Sequence, residues 1–514
     1  MKMLFYKQVF RQSWRDLSLA TMAFLSVVSV VEAATITNDV QWYDDRGIEI
    51  NASMGQHITI VGDTYYWVGS NPTNDSIHLY KSKTFGSDDW TWVRRLAKSS
   101  EGTKNVTLLY NPNTDRYVLI GKGIWFYESD TNDVEGTYTQ ITPKVNLTPR
   151  HPGYVANDTF THYESGGMSA YREGNRAFII VSMKCAELDD PTGGSTRFVD
   201  IFELNEQFTG LKRDASNNIL PPIVSDQVEK QREAFWLFKR NNIYYMSFDG
   251  VGGWMGSDCY YRTAPALEGP WYPTYTPDPN DAPAEIQIGM NPFRPLGSEA
   301  NRIMRSHASQ HRWIMKIGEQ WVYGGDRYPL QEVTSHPVEK GRVIMCPIDW
   351  DENGHPTVRW EGENTTDRSL QTPWSWEIDG EIKPFRAWAN LNNVENGPDS
   401  VGDKEGDEDG DGLLNLMEFA LGGNPLVASE PDILPTLVAT ENGIEFRYRR
   451  RSAANPGVSY MPQTSSTLLS DSWVDAPELE IGTETLDEIF ERVTAEISVP
   501  TGAPVFIRLE VSDQ

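Results

Sequence analysis

Phe235–Phe248 reads FWLFKRNNIYYMSF: an apolar strand, a polar turn ending in Asn241-Asn242, and an aromatic strand. Alternation on both sides of a short asparagine turn predicts a β-hairpin, because asparagine tolerates the positive φ that tight hairpin turns demand. The same shape recurs as Ile58–Ser70 (ITIVGDTYYWVGS), Leu108–Gly121 (LLYNPNTDRYVLIG), Met168–Ser182 (MSAYREGNRAFIIVS) and Trp313–Gly325 (WIMKIGEQWVYGG). The aromatics Tyr65, Tyr117, Phe178, Tyr244 and Trp321 mark the repeat, spaced by 52, 61, 66 and 77 residues. A second strand pair follows the hairpin, as in Ile77–Arg95, Cys259–Pro273 and Val343–Trp360. Four short antiparallel strands per unit, five units and no helical period between them predict an all-β chain in which residues 36–378 form a five-bladed β-propeller. A β-sandwich with coincidental hairpins is the alternative, and it leaves the regular recurrence of the whole unit without a cause.

Working outward, composition narrows the function. The chain has 514 residues, 45 Lys and Arg against 73 Asp and Glu, and a net charge of −28. So acidic a chain lacks the basic footprint that broad nucleic-acid binding requires. A mean hydropathy of −0.50 excludes a protein of many membrane spans. Cys185, Cys259 and Cys346 are too few and too scattered for a disulfide scaffold or a metal site, and read as buried thiols, with one disulfide among them as the alternative. At the N-terminus, Lys2, Lys7, Arg11 and Arg15 precede an apolar run from Leu17 to Val31, which ends in Val31-Glu32-Ala33-Ala34. A basic start, a short apolar core and a small-residue cleavage site predict a signal peptide over residues 1–33. Export follows, to a bacterial periplasm, cell surface or medium, with no membrane span once the signal is removed. An uncleaved N-terminal anchor is the alternative.

The tail changes character. After a linker expected over 379–402, residues 403–411 hold six acids in nine positions. Counting Asp407 as position 1, oxygen ligands fall at Asp407, Asp409, Asp411, Asn415 and Glu418, Gly412 takes position 6, and Leu413 supplies a backbone carbonyl at position 7. This is the EF-hand-like spacing for Ca²⁺, a hard cation that takes oxygen ligands. A solvated acidic linker is the alternative. The stretch 403–425, with its short helix, is similar to the dockerin-like and thrombospondin type 3-like calcium repeats. Alternating strands from 432 to 514 then predict a small C-terminal β-sandwich, either a spacer or a carbohydrate-binding domain.

In a propeller the first strand of every blade lines the channel, so residues just upstream of each hairpin converge on one mouth. Here they are Ser53–His57, Lys104-Asn105, Ser165–Gly167, Arg232-Glu233 and Ser309–His311. Glu233 and Gln310 both lie 11 residues before their unit's marker aromatic, which predicts equivalent places. Polar groups beside aromatics such as Trp254 and Tyr328 suit a sugar, whose ring stacks while its hydroxyls are read by hydrogen bonds.

Several motifs add a resemblance. Arg232-Glu233-Ala234, Gly252-Gly253-Trp254 and Gly269-Pro270-Trp271 resemble the fourth blade of glycoside hydrolase family 43, in its exo-β-1,3-galactanase-like branch. Ser309-Gln310, Asp326-Arg327-Tyr328 and Asp349-Trp350 are similar to that branch's fifth blade, and Tyr65–Gly69 and Tyr110-Asn111 to its first two. The resemblance implies an inverting, exo-acting glycosidase on β-1,3-galactan or a related galactose-containing glycan. It makes Glu233 the general acid, gives Gln310 a place beside the attacking water, and requires no catalytic cofactor. His57, Lys104, Arg232, Trp254, His311 and Tyr328 would contact the polysaccharide. Three positions depart from the branch: Lys104 and Gly167 stand where it carries carboxylates, and Ser53–Gln56 replaces a run containing histidine. These departures leave open a shifted site using Glu164 or Asp158, a different and anionic glycan facing Lys104, Arg232, His57, His311 and Arg312, and a propeller that binds sugar without cleaving it.

Overall fold

A computed structural model describes residues 2–4, 33–50, 54–71, 76–98, 105–121, 123–141, 168–185, 196–230, 232–250, 259–272, 291–292, 294–295, 309–327, 342–360, 373–392, 394, 404–407, 409–428, 431–441, 443–453, 457–498 and 504–513. Of residues 1–33, expected to be a signal peptide, only 2–4 and 33 fall among them, and Lys2–Leu4 is a short strand paired with Phe506–Asp513. The chain divides into two units: one spans Val31–Ile382 with Gly397–Asp399, and the other holds Met1–Val30, Lys383–Asn396 and Ser400–Gln514. No helix among the described residues is long and apolar enough to cross a membrane.

The first unit is built from small antiparallel sheets whose strands follow sequence order. Sheet one comprises Met54–Val61, Thr64–Asn71, Ser76–Ser82 and Thr91–Lys98. Sheet two comprises Thr107–Asn111, Arg116–Gly121, Trp125–Ser129 and Tyr138–Ile141. Sheet three takes Ser169–Glu173, Arg176–Cys185, Thr196–Glu203 and Val224–Lys230. Sheet four takes Arg232–Arg240, Ile243–Gly250, Cys259–Ala264 and Asn291–Pro292. Sheet five takes Ser309–Ile317, Gln320–Arg327, Arg342–Trp350 and Pro356–Val358, and adds Arg294–Pro295 as a parallel fifth strand that the hairpin pattern does not announce.

Turn chemistry sets these hairpins. In sheet four Asn241 and Asn242 take φ of 49° and 60°, the doubly positive turn whose twist matches the strands it joins. The first strands touch in a closed cycle, one with two, two with three, three with four, four with five, and five with one. A separate pair, Ala34–Asn38 with Trp374–Ile378, spans the last junction. On one side Asn38 donates to the Met345 carbonyl at 2.9 Å and accepts from the Met345 amide at 2.8 Å. On the other, the Ser87 amide donates to the Thr35 carbonyl at 2.9 Å. Chain ends far apart in sequence thus fasten sheet five to sheet one.

The second unit carries two four-stranded sheets. One holds Thr436–Ala439, Ile444–Arg451, Phe490–Ile497 and Glu480–Thr485; the other holds Val458–Ser465, Phe506–Asp513, Val474–Asp475 and the short Lys2–Leu4. Their buried faces share a core with Leu416, Met417, Phe419 and Ala420 of the helix Asn415–Leu421. The stretch expected as a linker contains a helix, Pro384–Leu391. Phe385 and Ala389 of that helix are buried in the same core, so residues 384–391 are part of the second unit's packing. The prediction missed this because eight residues carry too few turns for a 3.6-residue period to stand out.

Candidate active site

Antiparallel register breaks at equivalent places in three sheets: between Met54 and His57, between Glu233 and Trp236, and between His311 and Trp313. Such bulges add a residue on one strand and re-aim the neighbouring side chains. In sheet four the distortion puts Ala234 at φ 59°, a region alanine enters only under constraint. In sheet five it lets the buried indole of Trp313 lie over Gly324, where an added Cβ would stand 2.1 Å from the ring.

In sheets four and five an expected residue stands at or next to the bulge, Glu233 and Gln310, and the structure brings these two together. Gln310 donates through Nε2 to Oε1 of Glu233 at 3.0 Å across the seam between sheets four and five. The Gln310 carbonyl accepts from Nη2 of Arg312 at 2.6 Å, and Nε of Arg312 is ion-paired with Asp326. A chain of alternating character therefore runs from Asp326 through Arg312 and Gln310 to Glu233. Glu233 and Gln310 retain 9% and 5% exposure, whereas Asp326 is fully buried. The outer end of the chain can meet a ligand and the inner end cannot.

Asp249 and Asp326 are residues that the sequence reading missed as site members. Asp249 stands directly across the ladder from Glu233, and Asp326 directly across from Gln310. Asp249 accepts from the backbone amide of His311, tying sheet four to sheet five. The readable signal was an offset: each aspartate follows its mouth residue by sixteen positions, which is what a repeated hairpin with a two-residue turn and one bulge imposes.

The two histidines correct the expectation of cations at the mouth. His311 is wholly buried; its Nδ1–H faces the Ala234 carbonyl at 3.0 Å, and its Nε2 faces the Ser247 hydroxyl at 3.1 Å. His57 is buried with its ring 5.1 Å from that of Trp236, and its Nδ1 accepts from the Leu108 amide at 3.3 Å. Burial pulls both imidazoles down to about 3, so both are neutral at ordinary pH and act as pins between sheets. Arg312, also expected to face an anionic glycan, is taken up by Asp326 and Gln310. Lys104, Trp254, Tyr328, Asp158 and Glu164 lie outside the described residues. Arg232 is described as the strand residue opposite Gly250. Cys259 and Cys346 are buried thiols that form no disulfide, as expected.

In the second unit the acidic loop brings three of the expected ligands together. Carboxylate oxygens of Asp407, Asp409 and Asp411 lie within 4.8 Å of one another. Their backbone is folded inward by Gly410 N–H and Gly412 N–H to Asp407, both at 2.9 Å, and by Leu413 N–H to Asp411 at 2.7 Å. Gly412 has φ 89°, which position 6 of such a loop requires. Asn415 and Glu418 are buried at the start of the following helix. Oδ2 of Asp409 is buried with no hydrogen-bond partner among the described residues. Three carboxylates so close repel one another unless a cation sits among them, and an all-oxygen donor set fits Ca²⁺.

No family model matches the chain, and no curated protein matches it. Among solved structures it is similar to an exo-β-1,3-galactanase of Clostridium thermocellum, at 17% identity and a TM-score of 0.43, over 63% of this chain and 65% of that one. It thus spans less than two thirds of that protein's length. It is also similar to an exo-β-1,3-galactanase of Phanerochaete chrysosporium solved with galactose, at 14% identity and a TM-score of 0.45, over 92% and 96% of the two chains. A third likeness is to a thermostable family-43 glycoside hydrolase, at 13% identity and a TM-score of 0.41, over 60% and 94%. Likenesses this distant leave the functional reading to rest on the residues described above.

Proposed function

We propose that the chain is a secreted glycoside hydrolase in which the five sheets are the blades of a propeller and Glu233 is the general acid. The observation that carries this reading is the nearly buried Gln310–Glu233 hydrogen bond at 3.0 Å, formed where two first strands begin. A carboxyl group with little water around it and a donor fixed on it is a suitable proton source for a departing glycosidic oxygen. In the inverting reaction Glu233 gives its proton to that oxygen as the C1–O bond breaks, and water attacks C1 from the opposite face. A base takes the water's proton; inverting sites hold the two carboxyl functions about 6.5–9.5 Å apart. Gln310 turns its carbonyl to Arg312 and its amide hydrogens to Glu233, so its role shifts from orienting the water to steadying the acid. The base then falls to Glu164 or Asp158. The resemblance favours galactose-containing glycans attacked from the chain end.

A second reading, a propeller that binds glycan without cleaving it, is favoured by Lys104 and Gly167 at positions where the resemblance expects carboxylates. Chromatography of products from galactans, arabinogalactans, arabinoxylans and sulfated polysaccharides separates the two. Hydrolysis is expected from the wild type, and a loss of about 10²–10⁴-fold in Glu233→Gln with glycan retention intact. Retention with no product from any glycan would leave only the binding reading.

For the second unit we infer a structural Ca²⁺ held by Asp407, Asp409, Asp411, the Leu413 carbonyl, Asn415 and Glu418, clamping the loop to its helix. Calorimetry in calcium and then in chelator is the check. At a hundredfold excess over Kd the ion should add about 2.7 kcal/mol to this unit, and Mg²⁺ should not replace it. An unchanged melting curve would count against the site.

A further inference from the structure

The geometry points to Arg312, anchored by Asp326, as a positioning residue that fixes which way the Gln310 amide faces and so what Glu233 receives. An amide can be turned either way, but here its neighbours decide. Arginine has donors and no acceptor, so the atom 2.6 Å from Nη2 of Arg312 must be the carbonyl oxygen of Gln310. The amide nitrogen is then committed to Oε1 of Glu233. The reversed amide would set donor against donor at Arg312. Asp326 holds the guanidinium through Nε, which leaves the Nη2 edge pointing along the seam. Lysine, with rotatable donors around a point charge in place of a planar fork, would not hold the Gln310 carbonyl in one fixed direction.

The arrangement matters for proton donation. With Oε1 always met by an N–H, the Glu233 carboxyl loses rotational freedom, and the carboxylate left after proton transfer is met by a donor already in place. The interaction strengthens as charge develops on Glu233, so it belongs to the rate of the chemical step. It makes little demand on substrate affinity, because Asp326 is fully buried and the Arg312 nitrogens Nε and Nη2 are committed to Asp326 and Gln310.

This inference rests on the reading of Glu233 as general acid, and its test has an arm that does not. Full-length protein labelled with ¹⁵N in glutamine side chains gives the Gln310 amide signal, identified by its disappearance in Gln310→Glu. That amide should exchange its hydrogens slowly in the wild type and at least tenfold faster in Arg312→Lys. It should do the same in the charge-free pair Arg312→Met with Asp326→Asn, which avoids a lone buried charge. Equal exchange in all three would overturn the inference. On an active glycan, Arg312→Lys should lower kcat about tenfold, the size of one directed hydrogen bond, with KM within about twofold. A raised KM at unchanged kcat would overturn it too. A wild type that cleaves nothing yet holds the amide in slow exchange would end the general-acid reading and leave the amide lock standing. An active wild type with a freely exchanging amide would end the lock alone.

Discussion

The seam between sheets two and three and the seam between sheets four and five are made by the same hairpin repeat, yet they bury different groups. The first is filled by Leu109, Val118, Ile120, Met168, Ala170 and Ile179, all buried in one apolar cluster. The second buries Glu233, Asp249, Gln310, His311, Arg312 and Asp326. Apolar packing is non-directional and tolerates volume-conserving exchange. A buried polar network holds only if each group finds its partner in the right geometry, and a broken one costs more than it contributed when whole. The polar seam is therefore a poor choice for holding two sheets together. Its presence in one seam, beside the only slightly exposed Glu233, is what singles that seam out as the candidate site.

The largest way to break the contrast is Asp326→Ala. It leaves the Arg312 guanidinium buried without its counter-charge and should cost about 3–5 kcal/mol in denaturant unfolding. A loss below about 1 kcal/mol would mean that water already reaches the pair. Ile179→Ala, in the apolar seam, should cost about 2–5 kcal/mol for the deleted surface and the cavity left behind, with the rate per folded molecule unchanged. A changed rate there would erase the division of labour between the seams.

The smallest effect per step is the dependence on pH. His57 and His311 have folded values near 3 against an ordinary 6.5, so the unfolded chain binds protons that the folded one refuses. The stability they contribute is complete above pH 6.5 and is lost as pH falls from there toward 3. Each histidine should remove about 1.4 kcal/mol per pH unit inside that window. Acid unfolding that began only below pH 4, in the carboxylate range, would show that neither ring is as buried as described. Replacing His57 with Gln should flatten its share of the slope.

Much of the fold was legible because hairpins are local. Asn241-Asn242 and the alternating residues on either side carry the turn, the register and the buried face within one stretch. The meeting of Asp407, Asp409 and Asp411 was legible for the same reason, since the three fall within five consecutive residues. The helix at Pro384–Leu391 was not, because eight residues give a period too little length to declare itself.

Sequence by itself determined which residues stand at the start of each first strand, and so picked out Glu233 and Gln310 as equivalents from two units. It could not say what those residues touch. Gln310 finds Glu233 77 positions away, Asn38 closes onto Met345 307 positions away, and His57 lies against Trp236. Those meetings depend on how successive sheets turn about their shared centre. The protonation of His57 and His311 was likewise undecided until burial was known, because an imidazole near its ordinary value is a cation or a neutral pin according to how much water surrounds it. Tertiary structure turned two expected sugar-binding cations into neutral posts, and turned a glutamine expected beside water into a hydrogen-bond donor to Glu233.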